Sequence, residues 1–354
     1  MLSAGKRNLT IDIARGISIL LIVLAHGTLG FRIPGMNQVL SSFRLPFFFF
    51  ISGVFFKKEL SFDRVLFDKA DALLKPFFVT LLLYGATELF RSRGEPFLYL
   101  LGLVYGVGAS LPATWLPLWF LPHLFSVFIF AWVFIRISRI HERPDWLKGL
   151  MLLLLILAGR LVLELLGTFT FRIPGAGIKW SGLPFSLDIT LITGAFFICG
   201  FLSRDAILRF VPRTSWLLLT IALVALIQYF IRPSLNLNAR SHESFFFCLL
   251  SALLMIYPVL SLAFFISRMW LRSLFSYLGA MSLFILLFHY IIMMHSIRLF
   301  KSLDGVISWG EEAVILAVSV AAPLLIGETV KRIPLLALFF RPLKVNPLFQ
   351  RRQS

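Results

Sequence analysis

The sequence predicts an all-α integral membrane protein, a bundle of about ten transmembrane helices with both termini in the cytoplasm. Three observations lead there. The chain has 354 residues, 59% of them hydrophobic and only 14% charged, against roughly 25% charged in soluble domains. Its mean hydropathy is +0.90. Apolar runs of about 20 residues, the length that crosses a bilayer, recur along the chain.

The runs fall at residues 11–30, 40–57, 73–90, 118–137, 149–167, 184–203, 214–232, 245–267, 273–296 and 310–331. The first is no cleavable signal, because Asp12 and Arg15 interrupt it and no small-residue cleavage site follows. In the second, four consecutive Phe (Phe47 to Phe50) cover every side of a helix, so some should face lipid. Residues 96–108 are apolar but too short and Gly-rich to span, which suggests an interfacial or re-entrant piece. The fourth run opens on PLWFLPHLF, where Trp115 and Trp119 read as aromatic-belt residues. The longest connection, 91–117, is too short to fold alone, so residues 1–354 read as one polytopic domain with no appended soluble domain.

Charge sets the sidedness. The formal net charge is +17, but the basic residues are scattered, with no contiguous face for nucleic acid. Of the 34 Lys and Arg, 21 lie in the terminal segments and the connections after even-numbered runs, against 9 in the opposite connections. The positive-inside rule therefore places both termini in the cytoplasm. Cys199 and Cys248 both lie within apolar runs and imply no disulfide framework.

Ionisable residues inside spans are costly and become site candidates. The first span carries Asp12, Arg15 and His26; the last two are eleven residues apart, on one face and about 16 Å apart along the axis. Counted from span midpoints, His26, Arg44, His123, Asp188 and His289 all lie about 7–8 Å toward the outer side. Five helices thus contribute to one level, either as residues facing headgroups or as a polar cavity in the outer half of the bundle. Arg160 and Glu164 form an i,i+4 pair of structural character. His141 and His242 belong to no constellation, and His295 sits near a span end.

Taken in order, these segments resemble the membrane-bound acyltransferase family 3. The resemblance rests on Arg15 and His26 with ten residues between them; FRLPFFFFISG at 43–53, ending in Ser52-Gly53; LWFLPHLF at 118–125; GAFFICGFLSR at 194–204; and YLGAMSLFILLFHY at 277–290, with Ser282 and His289. LWFLPHLF and LPFSLDITLITGAFFICGFL look most similar to the branch related to fucose 4-O-acetylase and related sugar O-acetyltransferases. The resemblance implies transfer of an acyl group, usually acetyl from acetyl-CoA, to hydroxyls of bacterial envelope carbohydrates such as exopolysaccharide or O-antigen. It implies Arg15 and His26 as the functional pair, with Ser52, Ser282 and His289 in support, and no metal.

Two departures stand out. Paired Arg residues common before a Pro in the third span are replaced by KADALLKPFF, so donor phosphates would meet Lys69 and Lys75 beside Arg15. These are point charges rather than guanidinium forks. Leu286 stands where a Tyr is common. On this reading His26 is the general base, Arg15 holds the coenzyme A phosphates, and Asp12 orients Arg15. His123, Asp188 and His289 line the acceptor side, with Arg44 at its edge. The competing reading from the same polar cavity is a transporter or flippase for a lipid-linked glycan.

Overall fold

A computed structural model of the chain describes residues 8–33, 35–92, 96–166, 169–173 and 178–343. The N-terminal seven residues and the tail from 344 onward, which hold part of the charge asymmetry, lie outside the described residues. So do residue 167, where the fifth run was expected to end, and the side chain of Arg91.

In chain order the helices are α1 (Leu9–His26), α2 (Leu29–Arg32), α3 (Met36–Val54), α4 (Phe62–Lys69), α5 (Lys75–Ser92), α6 (Pro96–Tyr105), α7 (Phe120–Ser138) and α8 (Asp145–Leu166). They continue with α9 (Thr190–Leu202), α10 (Arg204–Leu208), α11 (Thr214–Phe230), α12 (Phe245–Ile266), α13 (Arg272–Ala280), α14 (Ser282–Asp304), α15 (Trp309–Arg332) and α16 (Pro334–Phe340). A helix stands at each of the ten expected runs. Seven helical segments among the described residues are long and apolar enough to cross a bilayer, which makes this a multi-pass membrane protein. Three expected spans fall short of that measure. α3 is diluted by Asn37, Gln38 and Arg44, α5 carries Lys75, Glu88 and Arg91, and α11 has only 17 residues. Residues 96–105 form the ten-residue α6, too short to cross.

The structure departs from the sequence reading in other places. Two antiparallel hairpins interrupt the helical pattern: β1 (Thr170–Ile173) with β2 (Ile178–Ser181), and β3 (Ser234–Asn236) with β4 (Ser241–Glu243). Neither carries a long alternating pattern that would announce a strand. The first run stops at His26, four residues early, and the ninth is broken at Met281 into α13 and α14. All four phenylalanines of FFFF are buried in protein, with Phe47 and Phe49 fully enclosed. None of them faces lipid.

By packing, the chain divides into two compact units. The first comprises Met1–Phe56, Phe196–Leu237 and Ser241–Val320. Its backbone is set by two reciprocal glycine crossings. A β-carbon on Gly16 would be driven into the carbonyl of Phe275, and one on Gly279 into the carbonyl of Asp12. In the same way Gly53 admits the Phe197 carbonyl and Gly200 admits that of Phe50. Small residues at such crossings let helix backbones touch, the chief source of helix association in lipid. The Ser-Gly end of FRLPFFFFISG and the second glycine of GAFFICG are therefore packing devices. Ser52 itself donates back to the Phe48 carbonyl at 2.8 Å.

The second unit comprises Lys57–Ala195, Asn238–Arg240 and Ala321–Ser354. Its α8 leaves Leu150, Leu153, Leu154, Leu157, Leu161 and Leu165 exposed, an apolar face suited to a bilayer. The expected Arg160–Glu164 pair is present at 2.7 Å. Trp115 and Trp119 are buried rather than interfacial.

The crossings predict opposite outcomes for two glycines. Gly16→Val should cost at least about 1–3 kcal/mol through overpacking. Gly149→Ala, on α8 with open space around its Cα, should be neutral or stabilise by up to about 1 kcal/mol. Thermal unfolding of the detergent-solubilised variants checks both.

Candidate functional site

In the first unit, α1 delivers His26 at its last turn and α14 delivers His289 one turn after Ile285. The rings are in contact: Nδ1 of His26 lies 3.0 Å from Nε2 of His289, and the ring centroids are 5.2 Å apart. The Gly16–Gly279 crossing packs α1 against α13, which ends just before α14 begins. Tyr290 packs edge-on against His26 at 5.3 Å.

The proton positions follow from the partners. His289 Nδ1 lies 2.7 Å from the Ile285 carbonyl and 3.1 Å from that of Leu286. A carbonyl only accepts, so Nδ1 carries the hydrogen, and in neutral His289 Nε2 is then an acceptor. The bond between the rings consequently runs from His26 Nδ1–H to His289 Nε2. That leaves the second nitrogen of His26, Nε2, without a hydrogen and available as a base. It is bonded to no group among the described residues. The chain carbonyl–His289–His26 fixes both tautomer and ring orientation, as an orienting third group does in catalytic triads.

Arg44 is half-buried on α3 of the same unit. Asp12 is buried on α1, and Arg15 is half-buried eleven residues before His26. Ser282 is buried at the start of α14. Of the five residues expected at one depth, the described structure puts His26 and His289 in contact.

His123 and Asp188 lie in the second unit. Asp188 is fully buried and held by Arg240, which sequence reasoning missed. Arg240 Nε donates to Oδ2 at 2.9 Å and Nη2 to Oδ1 at 3.2 Å, a bidentate pair. The Leu183 amide donates to Oδ1 at 3.0 Å, Nη2 also reaches Ser186 Oγ at 3.1 Å, and Nη1 reaches the Asn238 carbonyl at 2.6 Å. Gly182, at φ +84°, leaves the space that the guanidinium occupies. Arg240 sits in the β3–β4 turn and reads in sequence as an ordinary loop charge. The only signal for it is that a buried Asp188 needs a cation.

The turn clamped by this pair is strained, with Phe185 and Ser186 both at φ 54°. It lies against His123, whose Nε2 pairs with Thr193 Oγ1 at 3.1 Å and whose ring stacks on Trp119. Asp188 thus acts through the shape of the turn around His123.

The expected phosphate lysines are already engaged. Lys75 pairs with Asp71 at 2.6 Å and donates to the Arg341 carbonyl at 2.7 Å, and Lys69 lies 3.8 Å over the Phe128 ring. Between them the helix widens into a π-turn over Ala70–Leu74. Among the described residues no group of three or more His, Cys, Asp or Glu is placed to hold a metal.

The ion pair generates a stability test. Arg240→Met leaves the Asp188 carboxylate buried and unpaired and should cost about 3–5 kcal/mol. Arg240→Met with Asp188→Leu should recover part of that loss, read as the detergent-solubilised melting temperature.

No curated protein matches the chain. The family model described as an acyltransferase domain matches residues 8–328, nearly the whole chain and all of the residues discussed above except Arg341. The chain belongs to acyltransferase family 3 and is a membrane acyltransferase.

Proposed function

We propose that this protein moves an acetyl group from acetyl-CoA to a hydroxyl of a cell-envelope carbohydrate, as a multi-pass enzyme of the bacterial inner membrane. The observation that carries the reading is the His26–His289 pair, which leaves one imidazole nitrogen unprotonated and fixed in place. The sugar class of the acceptor rests on the similarity of LWFLPHLF and the LPFSLD segment to sugar O-acetyltransferases.

In the proposed mechanism, His26 Nε2 removes the proton of an acceptor hydroxyl as its oxygen attacks the thioester carbonyl. The bond between carbonyl carbon and sulfur then breaks. The imidazolium returns its proton to the leaving thiolate, so an ester and a free thiol are formed and His26 is regenerated. The Arg44 guanidinium supplies positive charge where the tetrahedral oxyanion develops. Arg15, about 16 Å along α1 on the same face, suits the donor phosphates at the cytoplasmic end. Lys69 and Lys75 are assigned a secondary part there, since both have partners within the protein. With ten spans and cytoplasmic termini, His26 lies toward the outer face, where envelope acceptors are found. His123, with Asp188 behind it, is assigned to the acceptor side.

The test is the ester-linked acyl content of envelope glycans in a deletion strain carrying wild type, His26→Ala or empty vector at matched protein levels. One ester species should vanish in the deletion and return with wild type alone. Unchanged esters with altered glycan export would replace this reading by a transporter. In membranes, His289→Phe should lower transfer by about 100-fold, the scale on which orienting partners act. His123→Ala should raise the acceptor KM while leaving substantial kcat.

A further inference from the structure

Beside His26 the first unit holds a group of buried polar atoms that the mechanism above does not use. Glu312, on the first turn of α15, is 1% exposed. Its Oε1 accepts the Leu29 amide at 3.1 Å, while its Oε2 is buried with no hydrogen-bonding partner among the described residues. Thr28 Oγ1 and Asn37 Oδ1 are buried in the same condition. All three surround α2. Thr28 precedes its first residue, and Asn37 lies against Gly30, where a β-carbon would collide with its amide. The carboxylate reaches the residue that follows the catalytic histidine: a β-carbon on Gly27 would stand 3.1 Å from Glu312 Oε1.

A buried carboxylate that answers only one amide is costly to keep. If it merely capped the start of α2, an amide oxygen would serve as well without the charge. Native structures rarely leave three polar atoms unanswered in one place, and such a group calls for a ligand rich in hydrogen-bonding groups. Carboxylate, amide and hydroxyl together match the hydroxyls of a sugar ring, with the carboxylate accepting O–H hydrogens.

We propose that Glu312, Thr28 and Asn37 form the acceptor subsite, binding a hydroxyl of the carbohydrate other than the one acylated, so that the reacting hydroxyl is presented to His26. This rests on the acyltransferase reading given above. Glu312 is a specificity residue in this scheme, and a polyol acceptor is favoured over a simple alcohol.

The experiment uses the full-length protein in membranes, radiolabelled acetyl-CoA as donor, and glycan from the deletion strain as acceptor. Glu312→Gln preserves shape and the cap to Leu29. It should raise the acceptor KM at least tenfold, with kcat changed by less than threefold. Thr28→Val should raise KM at least threefold, so the proposal does not depend on one variant folding. A KM unaltered in both variants of an active enzyme overturns the subsite and leaves the acyltransferase reading standing. A fall in kcat at constant KM also overturns it, since Glu312 would then act on the chemistry at His26 and not on acceptor binding. No transfer by the wild type overturns the acyltransferase reading and the subsite with it.

Discussion

The close approach of α1 to α13 at Gly16 and Gly279 is the constraint on which the first unit depends. In lipid there is no hydrophobic drive between helices, so association relies on backbones packing tightly enough for dispersion to accumulate. Here each glycine faces the other helix's carbonyl, so a methyl group on either side would separate them. The chain breaks at Met281, two residues after Gly279, and α14 then carries His289 to the end of α1. A contact of 3.0 Å between two imidazoles tolerates little error in helix placement. The glycines supply that tolerance at a distance from the chemistry.

Two buried carboxylates, one in each unit, are answered differently. In the second, Asp188 is answered by a bidentate arginine, and the charge holds a strained turn in place. In the first, the carboxylate of Glu312 has one oxygen engaged and the other not. A satisfied pair serves architecture, whereas an unsatisfied group beside the proposed base suits a ligand. This difference separates two acidic residues that are equally buried.

Much of the fold was legible from apolar run length alone, because the bilayer imposes it. A helix stands at each expected run, and most boundaries fall within a few residues. Arg15 and His26 were legible because eleven residues return a helix to the same face. Depth counting put His26 and His289 at one level, but depth carries no azimuth, so their contact was not legible. It also grouped His123 and Asp188 with them, and these fall in the second unit. Arg240 was hidden because a charge in a connection reads as solvated. Glu312 was hidden beside Glu311, where two acids at a helix start look like ordinary complements to the helix dipole. The buried phenylalanines and tryptophans were misjudged because lipid and protein interior are equally apolar, so composition does not say which one a ring faces.

The central claim is that His26 carries its proton on Nδ1 and leaves Nε2 free. Nitrogen-15 NMR of histidine-labelled protein in bilayers at neutral pH, with the His26 signals identified by their loss in His26→Gln, reads this directly. The account requires the Nδ1–H tautomer for His26, with Nε2 at the shift of an unprotonated imidazole nitrogen. An Nε2–H tautomer for His26 would contradict it, because the nitrogen assigned to take the acceptor's proton would already carry one.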